Sequence, residues 1–217
     1  MDIQAFEILK KSISEENNCL LWNKWRQQNL HSLDFSHADL AKSKLCKANL
    51  SNINFMEANF CEGDLSGVNL QSSNLRQANF RGAYLVGSNL KNSDLSEANI
   101  SNVSLTRAML DNANLSGAIL GKSQLESSTA INANFSNTNL TGGSLRRADF
   151  SGANFSNAIM IDVYMVGAKF IGSNFSGADL QKSNLGATDL SSANFVGANL
   201  TEALLLKANL QGTILPE

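Results

Sequence analysis

Ala48-Asn49-Leu50-Ser51-Asn52, Ala78-Asn79-Phe80-Arg81-Gly82 and Ala178-Asp179-Leu180-Gln181-Lys182 are one five-residue pattern written three times. The pattern runs without insertion or deletion through most of the chain. Of the 37 positions divisible by five from Phe35 to Leu215, 23 are Leu, 10 Phe and two Met, with Ile100 and Ala130 completing the set. These are the centres. Two residues before each centre stands a small residue, Ala at 19 positions and Ser at 8. One residue before the centre, 24 of the 37 are Asn or Asp. Two residues after it fall 11 of the 15 glycines.

In an extended chain, residues two apart share a face. The small residue and the centre therefore point the same way, and both are suited to an interior. Five is odd, so a straight strand would turn the next set outward. The pattern never inverts, so the chain must turn a corner every five residues. The glycine-rich position is where that corner falls, because glycine tolerates left-handed backbone. Six pairs of Phe lie 20 residues apart (35/55, 60/80, 135/155, 150/170, 155/175, 175/195), so like stacks on like at that spacing. Four corners per coil follow.

The chain resembles the pentapeptide-repeat proteins, whose motif is A(D/N)LXX, over residues 33–217. The resemblance implies an all-β solenoid: a right-handed, four-sided parallel β-helix of about nine coils at 20 residues each. At roughly 4.8 Å per coil the rod is about 44 Å long. Its one proline is Pro216. A ladder that uses its N–H groups explains that scarcity, because proline has none to donate.

Residues 1–32 form a separate unit. Ile3, Phe6, Leu9 and Ile13 recur at helical spacing, and Ser14-Glu15-Glu16 reads as a helix start. Two helices are expected, at about 3–12 and 15–28. Phe6, Leu21, Trp22 and Trp25 are expected to close the first coil, since a solenoid exposes its core at its ends. The Trp22-Asn23-Lys24-Trp25-Arg26 run resembles cyanobacterial-type members of the family. The C-terminal Ile214-Leu215-Pro216-Glu217 carries no helix, so the last coil is either closed by its own side chains or meets a second rod end to end. A monomer or an end-to-end homodimer follows.

No catalytic chemistry is legible. The two histidines (His31, His37) and three cysteines (Cys19, Cys46, Cys61) have no metal-ligand spacing. A Cys19 disulfide to either other cysteine is open. Carboxylates such as Asp94 and Glu97 lack the enclosed cleft that tunes a general acid. The expectation is no enzyme, no cofactor and no metal. The net charge of -2 argues against nucleic-acid binding through bulk charge. No apolar run is long enough for a membrane span, and the N-terminus lacks a signal-peptide pattern. A cytoplasmic location is expected.

The four sides of such a coil differ. The first has centres at 35, 55 and onward, the second begins at 40, the third at 45 and the fourth at 50. Asn or Asp precedes the centre at 9 of 10 positions on the first side, 7 of 9 on the second and 6 of 9 on the fourth, but at 2 of 9 on the third. The third side carries Tyr84, Val86, Arg107, Arg146, Arg147, Tyr164, Val166, Leu204 and Leu206, with a charge balance of +4. Tyr and Arg are favoured at binding hot spots. The expected function is a non-catalytic interaction or scaffold module that binds a protein partner through this side. The alternative implied by the quinolone-resistance relatives, a DNA mimic acting on a type II topoisomerase, needs a strongly negative rod with projecting loops. The near-neutral charge and unbroken register argue against it.

Overall fold

The computed structural model describes residues 2–14 and 19–216. The described residues form two helices, α1 (Ile3–Ser14) and α2 (Leu20–Gln28), followed by a four-sided coil. Strands β1 (Leu33–Asp34) and β2 (Ile53–Asn54) pair in parallel, with Leu33 opposite Ile53. Every later bridge joins a residue to the one 20 further on, from Asp39 with Asn59 to Asn194 with Ile214.

The corner lies where the glycines place it. Positive φ occurs at 25 non-glycine residues of the coil and at 11 glycines, and together they occupy every second position after a centre from 37 to 212. Non-glycine residues pay about 1–2 kcal/mol for that region. None of the 25 is β-branched, and seven are Asn, which tolerates it best.

A repeat with Asn or Asp before its centre accounts for all five of its N–H groups. The centre donates to the next coil, as Leu40 does to the Asn59 carbonyl at 2.8 Å. The second corner residue does likewise, Lys42 to Cys61 at 2.8 Å. The residue before the centre donates back one coil, Asn59 to Ala38 at 2.9 Å. The small residue closes the corner, as Ala48 does on Leu45 at 3.0 Å. The first corner residue has no backbone acceptor. Its N–H is taken by the Asn or Asp side chain two residues before it, as Ser36 donates to Asp34 Oδ1 at 3.0 Å. The Asn/Asp preference thus follows from one N–H that the ladder leaves over.

The centres are buried as far as Phe195, in a column with the small residues. All six Phe pairs spaced by 20 are in ring contact. Five are stacked, such as Phe60 on Phe80 at 4.8 Å and 5°, and Phe175 on Phe195 at 4.7 Å and 7°. Phe35 meets Phe55 edge-on at 61° because its other side packs on Phe6 and Trp22 of the helical unit. At Ala130 the ladder continues unbroken, its N–H donating to Asp149 at 2.8 Å, so the small centre brings no bend.

The helical unit does more than cover apolar surface. The first coil has no coil before it to donate to its outer carbonyls, and groups from residues 2–26 take that place. Asp2 N–H donates to the Asp34 carbonyl (2.8 Å), Trp22 Nε1 to Asn49 (2.8 Å), Asn23 Nδ2 to Lys47 (3.0 Å) and Arg26 Nη2 to Ser51 (2.8 Å). The Cys19 thiol points at the Lys44 carbonyl at 3.5 Å, and Asn23 Oδ1 accepts the Asn49 N–H. Arg26 is fully buried and also donates to the carbonyls of Asn29 and His31. Burial pulls its pKa below the usual arginine value.

Phe6 and Trp22 are buried, and Trp25 is half-buried, stacked on Trp22 at 5.3 Å. Leu21 is not part of this closure: it is 38% exposed, because α2 turns Trp22 and Arg26 inward and Leu21 sits round the helix from them. The second helix begins at Leu20 rather than near 15, after Cys19 in left-handed backbone; the helix start expected at Glu15-Glu16 lies outside the described residues. All three cysteines are free thiols.

Two outcomes follow. Asn92→Val places a β-branched residue at a left-handed corner and should cost about 1–2 kcal/mol, whereas Asn92→Gly should be near neutral; thermal melting of the pair measures it. Arg26→Ala should strip amide protection from residues 33–52 and leave residues 133–192 unchanged in hydrogen exchange, because coils interact only with their neighbours.

Candidate interaction face

The third side is a straight column in the structure. Bridges run from Lys44 to Asp64, Tyr84, Ser104, Gln124, Ser144, Tyr164, Asn184 and Leu204 in unbroken succession. Tyr84 is 58% exposed, Leu204 58% and Leu206 77%; Val86 and Tyr164 are also exposed, and Val166 is half-buried. Tyr84 and Tyr164 are four coils apart, about 19 Å.

On the other sides the residues before the centre form amide ladders. On the first side Asn54 donates Nδ2 to Asp34 Oδ1 (2.9 Å) and Asn74 donates to Asn54 (2.8 Å). A second run then joins Asp94, Asn114, Asn134, Asn154, Asn174 and Asn194. Each run starts at an Asp because a carboxylate accepts but cannot donate. Hydrogen bonds hold such carboxylates ionised: the Ser36 amide and hydroxyl bring Asp34 down to about 2, and the Ser191 hydroxyl and amide lower Asp189. Shorter ladders occupy the second and fourth sides.

Among the described residues, the third side has no such ladder. Asp64 and Asn184 accept from their own corners instead, Asp64 from the Ser66 N–H and hydroxyl and Asn184 from the Gly186 N–H. Where Tyr84, Ser104, Gln124, Ser144, Tyr164 and Leu204 replace Asn or Asp, the leftover corner N–H has no acceptor among the described residues. Val86, Thr106, Glu126, Arg146, Val166 and Leu206 therefore present backbone donors outward, five of them in consecutive coils.

The ion pairs lie off the third side, although Arg81, Lys122 and Lys182 on the second side are in none among the described residues either. Lys42 pairs with Glu62 (3.6 Å), Arg76 with Glu97 (4.0 Å), Lys91 with Asp111 (3.0 Å) and Lys169 with Asp149 (3.7 Å). Among the described residues, none of Lys44, Lys47, Arg107, Arg146, Arg147 and Lys207 on the third side is in an ion pair. Glu126 on this side is engaged by the Ser144 hydroxyl at 2.9 Å. The sequence marked this side by its missing Asn and Asp. It did not show the free N–H groups, which become visible only once every other donor in the repeat has an acceptor.

No group of His, Cys, Asp and Glu among the described residues is arranged to hold a metal ion. His37 lies 3.3 Å from Glu57 at the surface. The hollows on the rod are shallow and open; one lies beside Tyr84 over Ser104 and Gln124, and another is lined by Val166, Gly186, Leu204 and Leu206. No described helix is long and apolar enough to cross a membrane.

The chain matches the sequence profile of the pentapeptide repeats, in eight copies, over residues 34–71, 73–110, 108–147, 148–186 and 183–217. No curated protein sequence matches it. Among solved structures it is similar to HetL from the cyanobacterium Nostoc sp. strain PCC 7120, a pentapeptide repeat protein involved in heterocyst differentiation regulation. The two share 32% identity over 86% of each chain, with a TM-score of 0.63. It is also similar to QnrB1, a plasmid-mediated fluoroquinolone resistance protein, at 23% identity over 85% of this chain and 92% of that one, with a TM-score of 0.37. The fold is the right-handed quadrilateral β-helix, and the chain belongs to the pentapeptide-repeat family.

Proposed function

We propose that this protein is a non-catalytic interaction module and that its third side is the face that binds a protein partner. The observation that carries this reading is the loss, on one side, of the amide ladder, in a column that also bears six cations without an ion pair among the described residues. That side exposes Tyr84, Val86, Tyr164, Leu204 and Leu206 beside Arg107, Arg146 and Arg147. Large aromatic and Arg side chains held on a rigid surface bind with little loss of conformational entropy. A role exerted through binding fits the regulatory involvement of HetL. Against the DNA-mimic reading, the rod has 13 basic and 15 acidic residues between 33 and 217, and the third side is basic.

A pull-down from the native cell's lysate tests the proposal, with wild type beside a variant carrying Tyr84→Ala, Arg147→Ala and Tyr164→Ala. A partner captured by wild type and lost by the variant is expected; a partner retained by both refutes the third side as its face.

A second reading concerns self-association. Leu210, Ile214 and Leu215 are exposed at the last coil, and the N–H groups of Leu200, Leu205 and Leu210 have no acceptor among the described residues. The helical unit closes the other end, so head-to-tail stacking is blocked and only an isologous pairing of the two C-terminal ends is open. Sedimentation equilibrium should show a dimer that Leu210→Glu dissociates; a wild-type monomer at 100 μM would overturn this reading.

A further inference from the structure

The hollow at coils seven to nine of the third side is made by two small residues that the fold does not require there. Gly186 is a first corner residue, and its φ is not in the left-handed region. The other first corner residues of this column are Cys46, Ser66, Val86, Thr106, Glu126, Arg146, Val166 and Leu206, so side chains of every size are accommodated. The left-handed residue is the next one, Ala187, at φ 53, the one alanine among the non-glycine corner residues. Glycine is therefore absent where the backbone favours it and present where it has no backbone role. The joint effect is an open hollow of about 380 Å³. Its walls are Val166, Leu204 and Leu206, and Lys207 stands at its rim. Asn184 lies low on its floor because its Oδ1 is drawn onto the Gly186 N–H at 3.0 Å.

We infer that this hollow seats one large apolar side chain of an acidic segment of the partner, an assignment that rests on the third side being the binding face. Three observations give the segment its chemistry. The walls are aliphatic, with Leu204 and Leu206 exposed and Val166 half-buried. The nearest free backbone donors, Val166 and Leu206 N–H, flank the hollow and favour an acceptor. Lys207 and, three coils away in the same corner column, Arg147 carry no ion pair. Three coils span about 14 Å, which an extended chain covers in about four residues. A carboxylate beside the apolar anchor thus meets Lys207, and another about four residues away reaches Arg147 and Arg146. The opposite corner of these coils bears Asp162, Lys182 and Glu202, which directs the carboxylates to the Arg147–Lys207 edge.

The segment does not join the sheet as a strand. Met165 N–H is taken by Asn184, Leu185 N–H by Leu204, and Ala187 N–H by Leu206. Recognition is by side chains and by the corner N–H groups alone.

The test is selection of a random dodecapeptide library, displayed on phage, against wild-type protein, with each selected peptide then resynthesised. Gly186→Leu fills the hollow; its Cβ meets Asn184 Oδ1 at 3.1 Å, and folding should be kept because Gln71 beside Asn69 and Lys91 beside Asn89 carry side chains with the same N–H bond intact. Lys207→Glu with Arg147→Glu reverses the charge at corners where the rod already carries glutamate, as at Glu97 and Glu202. Matching thermal midpoints establish that the variants are folded. The expected peptides carry one large aliphatic or aromatic residue and at least two acidic residues within about four positions. They should lose about tenfold or more in affinity on Gly186→Leu, the worth of burying one such side chain, and a comparable factor on the charge reversal. Peptides without acidic excess, peptides that bind Gly186→Leu as well as wild type, or no selected peptide at all would overturn the inference. These results leave the wider reading standing if the lysate partner is still lost with Tyr84→Ala, Arg147→Ala and Tyr164→Ala; retention of that partner would remove the wider reading instead.

Discussion

A left-handed corner every five residues is the constraint on which the structure depends. It converts an odd period into a coil that keeps the same face inward. It sets four sides and places each residue over its counterpart 20 positions earlier. The parallel ladder, the stacked Phe rings and the amide columns all exist because of that superposition. The corner also leaves one N–H per repeat without a backbone acceptor, and the Asn or Asp before the centre answers it. A recurrent sequence preference is thereby reduced to one hydrogen bond.

The same superposition turns a one-dimensional exception into a surface. A single Tyr in place of Asn is a local substitution. Seven such replacements in one column of nine produce a strip with free donors, unpaired cations and exposed apolar side chains, interrupted at Asp64 and Asn184. Rigidity adds to this. The backbone under the strip is fixed by hydrogen bonds on both neighbouring coils, so the side chains are displayed at a set spacing of about 4.8 Å along the rod. The strip is a ruler rather than a flexible loop.

Much of this was legible in the sequence because it is periodic. The centres, the small inner positions and the corner are typed at every repeat, and the Phe spacing announced the coil length. The closure of the first coil was legible only as hydrophobicity. Trp22 was visible, but its indole N–H bonding Asn49, the Asn23 amide and the buried Arg26 guanidinium were not, because donors that cap a backbone edge once leave no repeated signature. Leu21 was misplaced for a related reason: in a short helix of mixed composition, apolar character alone does not say which residue faces the coil. At the candidate site, Tyr84 and Tyr164 stood out by residue type. The hollow over Gly186 did not: the register sets this glycine one place before the corner, but a side chain missing from one repeat does not show which neighbours line the space it leaves.

Site-specific photo-crosslinking in the native cell tests the claim about the third side most directly. A benzophenone amino acid would be placed at Tyr84 and Tyr164 on that side, and at Ile119 and Lys169 on the second and fourth sides. The account predicts one protein partner crosslinked from positions 84 and 164 and absent from positions 119 and 169. Equal crosslinking from all four positions, or crosslinking confined to 119 and 169, would contradict it.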